Sequence, residues 1–229
     1  MEKINKSTVE KQYNFLLDIE ESKGDQKLGL MTAGTWIQDP KRLTFVLSRY
    51  KFVSKMLDNF ENVLEVGCGD GFASRVVRQN VKSLTAVDFD PIFIDNAKEI
   101  VDDNWNIDFK VHDMMMDCLD TKFDALYALD VLEHIPPEKE DIFLNNCIKS
   151  LNVNGVAIFG MPSLESQSYA SKASKEGHVN CKSGAHLKQS LEKYFAQVFI
   201  FSMNDEVLHT GFYPMSNYLL ALCVLPSSS

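Results

Sequence analysis

Three glycines at alternate positions follow an apolar run in Val63-Leu64-Glu65-Val66-Gly67-Cys68-Gly69-Asp70-Gly71. Glycines there permit positive φ and let a ligand approach the backbone with no Cβ in the way. A dinucleotide fingerprint reads G-x-G-x-x-G/A. Counted from Gly67 its last position falls on Phe72, and from Gly69 on Ser74, so a pyrophosphate cradle fails on spacing. Glu65 and Asp70 flank the loop, and their carboxylates would repel a phosphate but suit a cationic ligand. Asp88 closes Leu84-Thr85-Ala86-Val87, where a carboxylate can take both hydroxyls of a ribose. Asp113 follows Val111-His112, where one can accept from an adenine amino group. Loop, ribose acid and adenine acid, in that order, describe a site for a positively charged adenosyl compound.

A second group lies in Leu129-Asp130-Val131-Leu132-Glu133-His134-Ile135-Pro136. Asp130, Glu133 and His134 stand at i, i+3 and i+4, which on one helical turn gives them a common face. His178 sits in a long, polar, Ser-rich stretch, 161–184, of the length that often forms a lid or binding loop. Lys172, Lys175 and Lys182 lend that stretch positive charge, a hint of an anionic or nucleotide-activated substrate. His112, His186 and His209 carry no motif.

The elements that must position these groups alternate. Strands are expected at 62–66, 83–88, 107–111, 123–128, 155–160, 196–203 and 216–224, and helices at 71–80, 91–102, 138–150 and 182–194. Such alternation means βαβ units and a parallel sheet covered on both faces. Ligands then bind at the carboxyl ends of the strands, where the groups above fall. Upstream, a helix is expected over about 7–21, then a loop from Gly24 to Gly34, then a helix from Asp39-Pro40. Leu43, Val46, Leu47, Tyr50, Val53 and Leu57 recur there at helical spacing, and Pro40 suits a first turn.

The chain has 229 residues, enough for one core without metal or disulfide staples. Lys+Arg number 23 and Asp+Glu 32, a net charge of −9 that argues against a phosphate-backbone binder. Five widely spaced cysteines form no CxxC pair, so neither a zinc ribbon nor a disulfide framework is indicated. The polar opening has no secretory pattern, and the longest apolar run near an end, Tyr218–Leu225, is too short to span a membrane. A reducing, cytoplasmic setting is expected.

The sequence resembles the class I S-adenosylmethionine-dependent methyltransferases over roughly 40–160, and most closely at E-V-G-C-G-D-G, 65–71. The resemblance implies a Rossmann-like sheet of seven mostly parallel strands with helices on both faces and an antiparallel C-terminal hairpin. It implies S-adenosyl-L-methionine as cofactor, bound through Glu65, Gly67, Gly69, Gly71, Asp88, Phe89, Asp113, Met114 and Leu129. Asp39-Pro40-Lys41-Arg42-Leu43 resembles the N-P-x-R-L opening of ubiquinone-pathway methyltransferases, which favours Arg42 over Arg49 as partner of the cofactor carboxylate. Leu151-Asn152-Val153-Asn154-Gly155 stands where the family has L-x-P-G-G, a departure expected to alter a turn and not the cofactor site.

After the fourth strand the family places acceptor-facing groups. His134 and His178 are the catalytic candidates, as general bases toward the methyl acceptor. Alternatively Asp130, Glu133, His134 and His178 hold a divalent ion, resembling the E-x-x-E-H and E-x-x-H-H motifs of other methyltransferases. A purely structural role for the Leu132-Glu133-His134 turn stays open beside both. The expected organisation is an N-terminal helix and lid segment, 1–38, then a methyltransferase domain, 39–229, with 161–184 as a substrate loop. The expected reaction is methyl transfer to a small molecule, at an oxygen of a sugar or related metabolite. A nucleic-acid methyltransferase and a non-catalytic cofactor-binding subunit are the alternatives.

Overall fold

The computed structural model describes residues 6–211 and 213–227; Met1–Asn5 and the end of the serine tail lie outside the described residues. Three helices come first, α1 (Asn14–Lys23), α2 (Leu30–Gln38) and α3 (Pro40–Met56). Then β1 (Asn62–Val66), α4 (Ser74–Arg78), β2 (Ser83–Asp88), α5 (Pro91–Ile100), β3 (Asp108–Val111) and β4 (Phe123–Leu129) alternate. They are followed by α6 (Glu140–Lys149), β5 (Leu151–Pro162), α7 (Lys172–Gly177) and α8 (Gly184–Leu191). Strands β6 (Phe195–Asn204), β7 (Val207–His209) and β8 (Tyr218–Pro226) complete the sheet.

Its order is β3-β2-β1-β4-β5-β8-β6-β7. The first five strands run parallel, and β8 enters antiparallel between β5 and β6. Strand order reverses between β1 and β4, so the crevice of the fold opens at their carboxyl ends. The sheet has eight strands where seven were expected. The extra one, β7, pairs Leu208 with Met203 after a tight turn at Asp205, and three residues are too few to leave a periodic signature.

Asp39 and Asp90 each accept from the N–H two residues on, and each precedes a proline, so α3 and α5 start where Asp-Pro stands. Alternation along β1 sends Leu64 and Val66 into the apolar cluster under α6 and α8. It sends Val63 and Glu65 to the face packed by α3, α4 and α5. Strand β4 is apolar on both faces, as a central parallel strand must be.

The loop expected through Gly34 gives way to α2. Its first N–H groups find partners outside the helix: Leu30 N–H donates to Asn96 Oδ1 at 2.7 Å and Thr32 N–H to Asp70 Oδ2 at 2.7 Å. Those partners satisfy groups that a short isolated helix leaves unmet, and local sequence does not announce them. The first helix begins as a 3-10 turn at Lys11–Tyr13, and the helix expected at 71–80 shortens to α4 because the glycine loop consumes its first turn. Leu151–Gly155 lies within β5 as an irregularity opposite Phe123 and Ala125, at the end of the sheet away from the crevice.

Candidate active site

The glycine loop leaves β1 with Gly67 at φ +75°, Gly69 at +53° and Gly71 at +68°. A Cβ on Gly67 would lie 2.3 Å from Val131 Cγ2, so the loop packs directly against the residues that follow β4. A Cβ on Gly69 would lie 2.8 Å from Met31 Sδ, which places α2 over the loop. Gly71 faces the Phe109 ring, and what it serves is packing of the loop on β3.

Asp88 ties the first two strand ends together. Its Oδ2 accepts from Gly69 N–H at 2.9 Å and its Oδ1 from Asp90 N–H at 3.0 Å. Each oxygen keeps a lone pair for a further donor. Phe89, next to it, is 72% exposed. Asp113 is half-buried and accepts from Met115 N–H at 2.8 Å, whereas Met114 and Leu129 are buried.

The two acids of the loop do not face an open groove. Glu65 is buried and its Oε1 accepts from the Tyr50 hydroxyl at 2.8 Å. Burial pushes its carboxyl up to about 7, against the opposing pull of Ser74, Tyr50 and Tyr127 hydroxyls. Oε2 has no aligned partner among the described residues. Asp70 is also buried, and accepts from Thr32 N–H, Thr32 Oγ1 (3.2 Å) and Phe72 N–H (3.1 Å). It latches α2 to the loop.

Of the two arginines on α3, Arg42 is exposed, and Arg49 reaches the end of β4. Arg49 Nη1 meets Asp130 Oδ1 at 3.0 Å and Oδ2 at 2.8 Å, and the guanidinium lies 3.8 Å from the Tyr218 ring centroid. Arg49 Nε and the Tyr218 hydroxyl are buried without a hydrogen-bond partner among the described residues.

The helical turn expected to align Asp130, Glu133 and His134 does not form. Asp130 sits at φ +56° with its N–H on the Gly160 carbonyl (2.9 Å), and only Leu132–His134 makes a 3-10 turn. The left-handed residue turns Asp130 toward Arg49, while Glu133 points inward. One oxygen of Glu133 and one ring nitrogen each from His134 and His178 lie within 4.8 Å of one another, and Asp130 stands outside that group. Neither Glu133 oxygen has a hydrogen-bond partner among the described residues. Burial, then nearby Asp130, push its carboxyl well above the usual range.

The two histidine rings meet edge to face with centroids 5.2 Å apart. His134 Nδ1 is 2.8 Å from the Gly177 carbonyl, and His178 Nδ1 is 2.9 Å from Gln167 Oε1. Carbonyl oxygens only accept, so each Nδ1 carries a proton, and in a neutral imidazole the lone pair is then on Nε2. Burial, then the neighbouring His134, pull the His178 imidazole below its ordinary range. The 161–184 stretch closes on the turn after β4, because Val179 and Asn180 N–H both donate to the Glu133 carbonyl at 2.9 and 3.0 Å. Of its lysines, Lys172 pairs with Glu176, Lys182 with buried Glu140, and Lys175 lies against the Ser168 carbonyl.

The β1/β4 crevice, its three left-handed glycines and the acid ending β2 define a class of fold. Residues 63–155 match the methyltransferase domain family. Ubiquinone biosynthesis O-methyltransferase of Coxiella burnetii is 27% identical over 114 residues, which cover 48% of each chain. The chain thus spans about half the length of the curated relatives it matches. N-methyltransferase NodS from Bradyrhizobium japonicum, solved with S-adenosyl-L-homocysteine, superposes at TM-score 0.63 with 19% identity, covering 84% of this chain and 91% of that one. A putative methyltransferase from Haloferax volcanii, solved with the Trm112 activator, gives 0.64 with 15% identity, covering 84% and 97%. Over residues 63–155 the chain is similar to the methyltransferase domain family, and its fold is that of these solved methyltransferases.

Sequence reasoning missed Gln167, Tyr218, Tyr50 and Thr32. Tyr50 falls on the apolar repeat of α3, so its position was visible but its bond to Glu65 was not. The other three reach the site only through the path of the chain.

Proposed function

We propose that the protein transfers the methyl group of S-adenosylmethionine to an oxygen of a small-molecule acceptor. The observation that carries this reading is the glycine loop. Its three glycines take left-handed conformations at the carboxyl end of β1, and the acid we assign to the ribose, Asp88, is fixed on the loop's own Gly69 N–H. Gly67 and Gly69 border the cofactor, Asp88 takes the ribose, Asp113 the adenine amino group, and Phe89, Met114 and Leu129 flank the rings. Arg42 meets the carboxylate. Glu65 acts from beneath, through Tyr50, and Gly71 through packing.

The chemistry is displacement at the methyl carbon. The acceptor oxygen forms the new bond as the sulfonium bond breaks, leaving a neutral thioether, so no acid is needed and alignment dominates. The hydroxyl proton goes to His178 or His134, whose Nε2 atoms are free to accept it. The acceptor class we favour is a sugar or related metabolite, and Lys175 is the loop cation left for an anionic one. Relatives bearing an O-methyltransferase name support oxygen over nitrogen. Residues 1–38 serve as lid and 161–184 as substrate loop on the 39–229 domain. The net charge of −9 disfavours nucleic acid, and five free thiols suit the cytoplasm.

A second reading rests on the orphaned Glu133 oxygens. Glu133, His134 and His178 fit a divalent ion by donor chemistry, with both Nδ1–H groups already tied to carbonyls as metal-bound imidazoles require. Such an ion would supply Lewis-acid polarisation of the acceptor oxygen.

A thermal-shift panel tests the reading. S-adenosylhomocysteine raises the melting temperature, and acceptors of one class, nucleotide-activated sugars first and phenols next, raise it further only in its presence. No shift with S-adenosylhomocysteine would remove the proposal.

A further inference from the structure

We propose that Gln167 is a positioning residue that decides which nitrogen of His178 faces the acceptor. This rests on the reading of His178 as an acceptor-side group. It adds a residue that touches neither cofactor nor acceptor and acts through the imidazole alone.

The carboxamide can sit only one way round. Gln167 Nε2 lies 3.2 Å from the Ser163 carbonyl and 3.3 Å from Ser166 Oγ. A carbonyl cannot donate, so the amide nitrogen must face Ser163 and the amide oxygen must face away. That oxygen is the atom 2.9 Å from His178 Nδ1. Ser163 is itself fixed, since its N–H donates to the Asn217 carbonyl at 3.0 Å and its hydroxyl to the Ser216 carbonyl at 2.5 Å. A rigid chain therefore runs from the start of β8 through Ser163 and Gln167 to the ring.

The consequence is a tautomer. Held by an acceptor-only oxygen, Nδ1 keeps the hydrogen and Nε2 is left with its lone pair. Taking a proton from a hydroxyl and binding a cation both require that lone pair. A histidine without such a partner tends to carry its hydrogen on Nε2, and the ring would then be blocked for either use. The charged and titratable groups around His178 are His134, Glu133 and Asp130. None supplies a hydrogen bond to its Nδ1, so Gln167 holds the tautomer alone among the described residues.

Long-range ¹H–¹⁵N spectra of the full chain report the tautomer of each histidine, with His178 assigned by loss of its signals in His178→Ala. The wild type shows Nδ1–H at both His134 and His178. In Gln167→Leu the His178 hydrogen moves to Nε2, while His134, held by the Gly177 carbonyl, is unchanged. In Gln167→Glu one carboxylate oxygen still accepts from His178 Nδ1–H, although the donor to the Ser163 carbonyl is lost, and His178 returns to Nδ1–H. Turnover falls roughly 10- to 100-fold in Gln167→Leu and recovers in Gln167→Glu, with the KM for the cofactor unmoved.

A Gln167→Leu protein with His134 intact and His178 still Nδ1–H would overturn the proposal. If His134 also changes, the loop has opened and Gln167→Glu decides: Nδ1–H at His178 supports the proposal, Nε2–H overturns it. A tautomer that moves with no loss of turnover upholds the positioning and instead removes His178 from the reaction.

Discussion

The rings of His134 and His178 come from elements 44 residues apart in sequence and meet edge to face with centroids 5.2 Å apart. Each presents the same nitrogen, because each has Nδ1 tied to a carbonyl oxygen. If His178 takes the acceptor proton, His178→Ala lowers turnover by roughly 10²–10⁴-fold and leaves S-adenosylhomocysteine affinity near wild type. Chelators then have no effect. Activity abolished by chelator and restored by Mg²⁺ or Mn²⁺, but not restorable in Glu133→Ala, selects the divalent-ion reading. A fully active His178→Ala enzyme that ignores chelators defeats both.

Asp70 holds α2 through both the N–H and the hydroxyl of Thr32. Asp70→Ala removes both bonds, each charge-assisted contact contributing about 1.5–3 kcal/mol. Amide exchange over 29–38 speeds by at least tenfold in that variant, and cofactor dissociates faster. Unaltered exchange there would mean that packing of Met31 on Gly69 suffices to hold α2.

Glu65 is an acid that the fold prefers protonated. Its carboxyl rises from an ordinary 4.5 to about 7, so the folded chain holds the proton more tightly than the unfolded one. The stabilisation is complete below pH 4.5 and lost as pH rises through about 7. Its upper limit is about 3 kcal/mol. Denaturant unfolding at pH 5 and pH 8 compares wild type with Glu65→Gln. The variant loses this part of the pH dependence, and an identical pH slope in both proteins would refute the assignment.

Arg42 and Arg49 separate by ligand. Arg42→Met weakens S-adenosylhomocysteine and spares adenosine, which has no carboxylate. Arg49→Met leaves Asp130 unpaired and destabilises the fold by about 1–2 kcal/mol, a figure that allows for solvent around Asp130. Adenosine calorimetry and urea midpoints on both variants check this. If Arg49→Met alone discriminates between the ligands, Arg49 is the carboxylate partner.

Much of the sheet was legible because buried parallel strands are apolar runs and their helices are periodic. The glycine loop, Asp88 and Asp113 were legible because strand ends are where ligands sit in such folds. Other features come from tertiary partners. Helix α2 depends on Asn96 and Asp70, and Asp130 breaks the expected turn by taking a left-handed conformation that pairs it with Arg49. Glu65 was visible as a loop acid, but strand alternation sends it to the α3 face and buries it. His178 could be singled out in its loop. Gln167, which orients it, lies eleven residues away with no spacing rule to connect them.

The central claim is that Asp88, fixed on Gly69 N–H, takes the ribose of S-adenosylmethionine at the crevice between β1 and β4. Titration calorimetry of S-adenosylhomocysteine into wild type, Asp88→Asn and Asp88→Ala tests it most directly. The wild type binds one equivalent, and Asp88→Ala loses at least about tenfold in affinity, as the loss of charge-assisted bonds of about 1.5–3 kcal/mol each requires. Asp88→Asn falls between, keeping an acceptor for Gly69 but no charge. A wild-type protein that does not bind, or an Asp88→Ala protein that is folded and binds as tightly as wild type, would contradict the account.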